Sequence, residues 1–205
     1  MKGIIGKKLG MTSIYDPQGK QTACTIIEAG PCIVTQVKTK DTDGYDALQL
    51  SYGDKKESRT TLPEKNHFAK ANTSAKKISK EFRGSSIEKN IGEAITVDIF
   101  EEGEKVNVVG TTKGKGFQGV VKRHGFHGVG EQSHGQHDRQ RAPGSLGNSS
   151  DAARVMKGMR MAGRMGGERV KMKGLKVVKI FPEKNYILVS GSVPGHIGSI
   201  VLVQN

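Results

Sequence analysis

The segment Gly114–Gly119 reads Gly-Lys-Gly-Phe-Gln-Gly, the G-x-G-x-x-G spacing of a loop whose backbone amides cradle phosphate. An apolar run, Val106–Val109, precedes it and reads as a strand. Asp138 lies 19 residues past Gly119, close to where a ribose-binding carboxylate would stand. A dinucleotide site also needs a helix directly after the glycines, because the amides of its first turn hold the pyrophosphate. The next stretch of this chain, Val120–Gly130, carries glycines at 125, 128 and 130 and cannot sustain two or three helical turns. No alternating βα pattern elsewhere builds a parallel sheet. A P-loop is excluded too, since Gly116 occupies the place of the magnesium-binding Ser or Thr. The phosphates that suit these glycines and lysines are those of a polymer.

Two other groups of residues invite chemistry. His124, His127, His134 and His137 fall within fourteen residues and in principle could ligate a divalent metal. The segment offers them no cysteine and no rigid hairpin or helix, and surrounds them with cations, so stacking on bases or hydrogen bonding to phosphate is the better reading, with no metal or other cofactor. Met156, Met159, Met161, Met165 and Met172 resemble a soft helical face, but Gly158, Gly163, Gly166 and Gly167 break it, so these side chains fill gaps against a partner. No Ser/His/Asp or Cys/His constellation favours catalysis, and the chain reads as a non-enzyme.

The elements that must carry these residues are of two kinds. The formal charge of +13 over 205 residues points to a polyanionic partner. From Thr111 to Lys176 there are fourteen Lys or Arg against four acids, which leaves +10 of the +13, together with fourteen of the 28 glycines and only Phe117 and Phe126 as aromatics. Such a stretch buries too little apolar surface to order itself alone. On either side lie short β-branched runs separated by turns. Asp16–Gly19 and Asp41–Gly44 are turn signals, and Ile95–Phe100, Lys105–Gly110, Leu175–Phe181, Asn185–Ser190 and Ser199–Val203 read as strands. A mainly β body is expected, a small barrel or sandwich. Pro63–Ala71 reads as a short helix and Lys76–Arg83 stays ambiguous. Cys24 and Cys32 lie on consecutive runs joined by Ala29-Gly30-Pro31. A hairpin closed there would set Cys32 opposite Glu28 and Cys24 opposite Gln36, too far apart to bond, so two buried thiols in a reducing compartment are expected. No run approaches the ~20 apolar residues of a membrane span. The N-terminus lacks a signal-peptide pattern, so a cytoplasmic location is expected.

Gly3–Lys20 with Thr35–Lys38, Gly110–Phe126, His134–Gly147, Arg154–Val170 and Leu188–Ser199 are long motifs of unusual specificity. They resemble those of the ribosomal protein L3 family of the bacterial large subunit. The resemblance runs from end to end. It implies a translation-factor-like β-barrel body, residues 1–111 and 174–205, with a small α/β insertion at about 58–92. It also implies a long, basic, glycine-rich extended arm, residues 112–173, that penetrates ribosomal RNA and brings its tip, around Gly144–Asp151, toward the peptidyl transferase centre. The same resemblance implies direct binding of large-subunit ribosomal RNA, a part in early subunit assembly, and ribosomal proteins L14 and L19 as neighbours; no membrane or small-molecule substrate is implied. Some members carry a methylated glutamine at the tip. Ser150 stands at that position here, so the modification does not carry over.

The expected RNA-binding residues are Lys7 and Lys8 near the start, Lys113, Lys115, Lys122 and Arg123 with His124 and His127 at the arm's root, and His134, Arg139 and Arg141 beyond them. Asn148, Ser149 and Ser150 come at the tip, then Arg154, Lys157, Arg160, Arg164, Arg169, Lys171 and Lys173 on the return. Arginine suits bidentate phosphate contacts and lysine diffuse charge compensation. A free RNA chaperone or assembly factor is the competing reading.

Overall fold

The computed structural model describes residues 2–16, 18–84, 89–130, 134–148 and 150–205. It separates into two compact units, residues 1–112 with 169–205 and residues 113–168.

In the larger unit, the body, β1 (Gly3–Tyr15) and β2 (Gln21–Ala29) form a hairpin across the Asp16–Lys20 turn, where the Gly19 amide donates to the Asp16 carbonyl at 2.8 Å. β3 (Cys32–Lys38) and β4 (Ala47–Asp54) flank α1 (Lys40–Asp43), one turn ended by Gly44 in the left-handed region at φ 79°. α2 (Leu62–Ala69) comes after them, with Pro63 in its first turn and the Thr61 amide donating back to the Glu64 carboxylate at 3.1 Å. Next come β5 (Lys76–Arg83), β6 (Ala94–Ile95) and β7 (Lys105–Thr111). In the smaller unit lie β8 (Gly116–Gln118), α3 (Val120–His124) and β9 (Gly163–Met165). The chain returns to the body through β10 (Arg169–Phe181), β11 (Tyr186–Ser190) and β12 (Ile200–Gln204).

Six strands close an antiparallel barrel in the order β1-β12-β7-β10-β11-β2. Closure depends on β1 being long enough to serve two partners. Its first residues pair with β12, from Gly3 opposite Gln204 to Lys7 opposite Ile200, and from Gly6 onward it pairs with β2, with an irregularity between Lys8 and Gly10. Gly6 sits where the partners change. A Cβ there would stand 2.6 Å from Ile27 and 2.9 Å from the Glu28 carbonyl, so no other residue fits. The second sheet runs β5-β4-β3-β6. One continuous core joins the two, taking Ile5, Ile27, Val108, Val177, Ile187 and Val201 from the barrel and Val34, Leu50, Phe82 and Ile95 from the sheet. Each such side chain contributes about 1.5–3 kcal/mol on leaving water.

Two local expectations are corrected. β2 and β3 are not a hairpin: β2 pairs with β1 and β11, while β3 pairs with β4 and β6, so Cys24 lies opposite Thr12 and Ser190, and Cys32 opposite Ile95. Gly30, at φ 85°, turns the chain from one sheet into the other. The thiols are buried and unbonded, as expected. The apolar run Ile95–Phe100 is also not one strand; β6 stops at Ile95 and a 3-10 turn, Val97–Ile99, buries Val97 instead. The ambiguous Lys76–Arg83 is the edge strand β5, pairing with β4.

Candidate nucleic-acid interface

The 113–168 unit starts from a narrow ribbon. β8 and β9 pair with Gly116 opposite Met165, Phe117 opposite Arg164 and Gln118 opposite Gly163, and the Lys115 amide donates to the Met165 carbonyl at 2.9 Å. Gly166 holds the strands close. Its φ is 73°, and a Cβ on it would lie 2.0 Å from the Lys113 carbonyl oxygen. Phe117 is 77% exposed, so a bare ring stands on the ribbon with a guanidinium opposite it. That pairing offers a base a stacking face and its phosphate a cation.

Beyond the ribbon, α3 is a single turn, stopped by Gly125 in the left-handed region. This is the helix the glycine pattern forbade from lengthening, and it leaves no dinucleotide-binding helix terminus. Lys122, Arg123 and His124 fill its last turn, where cations complement the carbonyl end of the helix dipole. The Met161 carbonyl accepts from Arg123 Nη1 at 2.6 Å and from His124 Nε2 at 3.0 Å, which ties α3 to the returning chain. An open cleft of about 910 Å³ lies beyond it, lined by His124, Phe126, His127, Pro143, Ser145, Arg139 and Arg160 among others. The His124 and Phe126 rings lie 6.0 Å apart and tilted by 45°. Aromatic walls with two arginines at the rim can take an unstacked base and its phosphate.

Among the described residues, no Lys or Arg of 113–168 forms a salt bridge. No cluster of three or more His, Cys, Asp or Glu side chains is arranged to hold a metal ion among them either.

Residues 69–185 match the family described as Ribosomal protein L3, a span that holds the whole 113–168 unit. The chain is also 54% identical, over 194 residues, to the large ribosomal subunit protein uL3 of Salinibacter ruber, a match that covers 94% of this chain and 93% of that one. The chain belongs to the ribosomal protein L3 family. That family is one of ribosomal proteins, not of enzymes.

Within this L3 chain the expected site residues divide. Lys113, Lys115, Lys122, His127, His134, Arg139, Arg141, Asn148, Ser150, Arg154, Lys157, Arg160 and Arg164 are exposed on the smaller unit, while Arg123 and His124 are half-buried against Met161. Ser149 lies outside the described residues. Arg169, Lys171 and Lys173 are exposed along β10, where Arg169 pairs with Thr111 and Lys171 with Val109 of β7. Lys7 is exposed. Lys8 is only 8% exposed, and its ammonium donates to the carbonyls of Val193 at 2.7 Å and Gly195 at 3.2 Å, which anchors the loop before β12. Phe117 and Phe126 complete the ribbon and cleft, although sequence reasoning does not single them out as contacts. The signal available for them is their isolation as aromatics in a glycine-rich, cationic stretch with no core to join.

Proposed function

We propose that this chain is a structural protein of the large ribosomal subunit whose 113–168 unit is an arm that binds large-subunit ribosomal RNA directly. The observation that carries the reading is the unit's inverted surface: unpaired cations and bare apolar side chains face outward, with Val120 as its one buried apolar side chain among the described residues. A folded protein of that kind is completed by a partner that supplies both negative charge and flat apolar faces, and packed RNA supplies both. The closed barrel supports the reading of the body as translation-factor-like, with residues of about 58–92, which hold α2 and β5, as its insertion. By the same reading the protein enters the subunit early, sits beside L14 and L19, and reaches toward the peptidyl transferase centre. It acts in translation by holding RNA in place, in cytoplasmic ribosomes, with no cofactor and no catalytic residue of its own.

The test replaces residues 113–168 with a short Gly-Ser linker, keeping Arg169 because β10 begins there. Affinity for large-subunit ribosomal RNA is then measured across a salt series. With ~6–10 phosphates contacted, the full-length protein should lose about 10³–10⁵-fold between roughly 50 and 200 mM salt, and the replacement should remove most of that slope. An unchanged slope in a folded variant would place the RNA contact elsewhere. Presence at one copy per washed large subunit separates a resident protein from an assembly factor that departs.

A further inference from the structure

We propose that the free edge of β1, residues Gly10–Tyr15, is a docking edge on which an extended segment of a different protein adds as a further strand. The proposal rests on the reading of the chain as a resident of the large subunit and adds to it a protein-facing surface.

β1 outruns one of its two partners. On one side it pairs with β2 as far as Tyr15 opposite Gln21. On the other it pairs with β12 only from Gly3 to Lys7. The last bonds on that side belong to Lys8, whose amide donates to the Ser199 carbonyl at 2.9 Å and whose carbonyl accepts from the Gly198 amide at 2.7 Å. Leu9 is the extra residue of the irregularity between Lys8 and Gly10, so the alternation resumes with Met11, Ser13 and Tyr15 turned to the edge that Lys8 faced. The far end of the hairpin agrees: the Asp16 amide donates to the Lys20 carbonyl at 2.9 Å, which gives Ile14 and Thr12 to β2. Among the described residues the outward backbone groups of Met11, Ser13 and Tyr15 have no partner. Gly10 stands in the open as well; a Cβ there would meet nothing within 4 Å.

Edges left free are normally guarded by charge. β5, at the edge of the second sheet, carries exposed Lys77, Lys80 and Arg83. Gly10–Tyr15 has no charged residue and no proline, and Met-Thr-Ser-Ile-Tyr favours an extended strand. The complement of such a row of outward amides and carbonyls is the backbone of another extended chain. Met11 and Tyr15, 53% and 66% exposed, share one face of the strand and give that chain two anchors about 13 Å apart. RNA does not suit the edge: no Lys or Arg lies between Lys8 and Lys20, and the Lys8 ammonium is turned inward onto the Val193 and Gly195 carbonyls. A second copy of this chain is opposed by its own charge of +13. The occupant is a strand from another protein of the subunit, uncharged where it pairs.

The experiment replaces Met11 with the photocrosslinker benzoylphenylalanine in the full-length protein, and irradiates washed large subunits that contain it. The expected product joins this chain to one peptide of one other subunit protein. Ser13→Pro in the same chain removes an outward amide and should lower that product about tenfold, whereas Ser13→Ala keeps the amide and should leave it unchanged. Equal urea midpoints of the free proteins check that the barrel is kept. Hydrogen exchange supplies a second readout without any variant: the amides of Met11, Ser13 and Tyr15 should exchange rapidly in the free protein and about 100-fold more slowly in the subunit. Crosslinks to RNA alone, crosslinks to a second copy, or a product indifferent to Ser13→Pro would overturn the proposal and leave the ribosomal reading intact. Equally rapid exchange in the two states would do the same. Absence of the wild-type protein from washed subunits would bring down both.

Discussion

The body and the 113–168 unit are built from the same chain by opposite rules. Of the 28 buried apolar residues among those described, 27 are in the body and only Val120 is in the smaller unit. The large apolar side chains left exposed show the reverse: Phe117, Val129, Leu146, Val155, Met156, Met159 and Met161, half of the fourteen, belong to a unit with little more than a quarter of the residues. Ion pairing shows the same division, with Lys38, Lys55 and Lys76 bound to acids in the body and no such pair among the described cations of the smaller unit. A body satisfied by its own contacts can fold before any partner arrives. A unit whose cations, rings and methionines face outward reaches its lowest free energy only against one.

That contrast can be broken first at the core. Ile27→Ala, at a site with no exposure, should destabilise the body by about 2–5 kcal/mol, read as a lower urea midpoint. The same measurement on Val120→Ala should leave the body's midpoint unchanged; a common shift would mean that the two units unfold as one. Gly166→Ala sharpens the contrast from the other side. The clash with Lys113 and the left-handed φ should open the β8–β9 ribbon and weaken RNA binding at least tenfold, with body unfolding unmoved. Lys8→Met removes an ammonium from two inward-facing carbonyls and should reduce body stability by about 1–3 kcal/mol, with little effect on the salt slope of RNA binding. A lost slope would instead make Lys8 a phosphate contact.

The smallest expected effects concern titration. Hydrogen bonds from Lys76 to Asp54, Lys55 to Glu64 and Lys38 to Glu81 hold these carboxyls below their ordinary range. Their folded values lie below the unfolded ones, so the unfolded chain binds more protons across that window and stability rises with pH there. The contribution is complete above the ordinary carboxylate range of about 4 and is lost as pH falls through the depressed values. It should be modest, because these pairs lie at the surface only partly buried, and 1 M salt should shrink it. Thiol labelling gives a final check. Burial pushes Cys32 up to about 12, so at pH 8 it should react only as the body unfolds. Rapid labelling in the native state would contradict the closed core.

Much of this was legible in composition and local pattern. The glycines at 125, 128 and 130 limited α3 to a turn because helix propagation fails at such density, and charge alone marked off the cationic stretch that the fold sets apart as the 113–168 unit. Strands at Lys105–Thr111, Tyr186–Ser190 and Ile200–Gln204 were signalled by β-branched runs, and the helix after Thr61 by its proline and glutamate. The family was readable from long motifs, with the match over residues 69–185 in agreement. Which strands pair was beyond reach. Adjacent runs joined by a tight turn look like a hairpin, yet β2 and β3 enter different sheets, because the β2 edge is satisfied by β11, more than 150 residues away in the chain. Lys8 and Lys77 are chemically alike in sequence. Only the folded chain turns one ammonium inward onto carbonyls and leaves the other exposed on β5. Side-chain type and local spacing thus decided the elements and the division of charge between them. The closed barrel and the inward turn of Lys8 depend on non-local pairing, which tertiary structure alone can set.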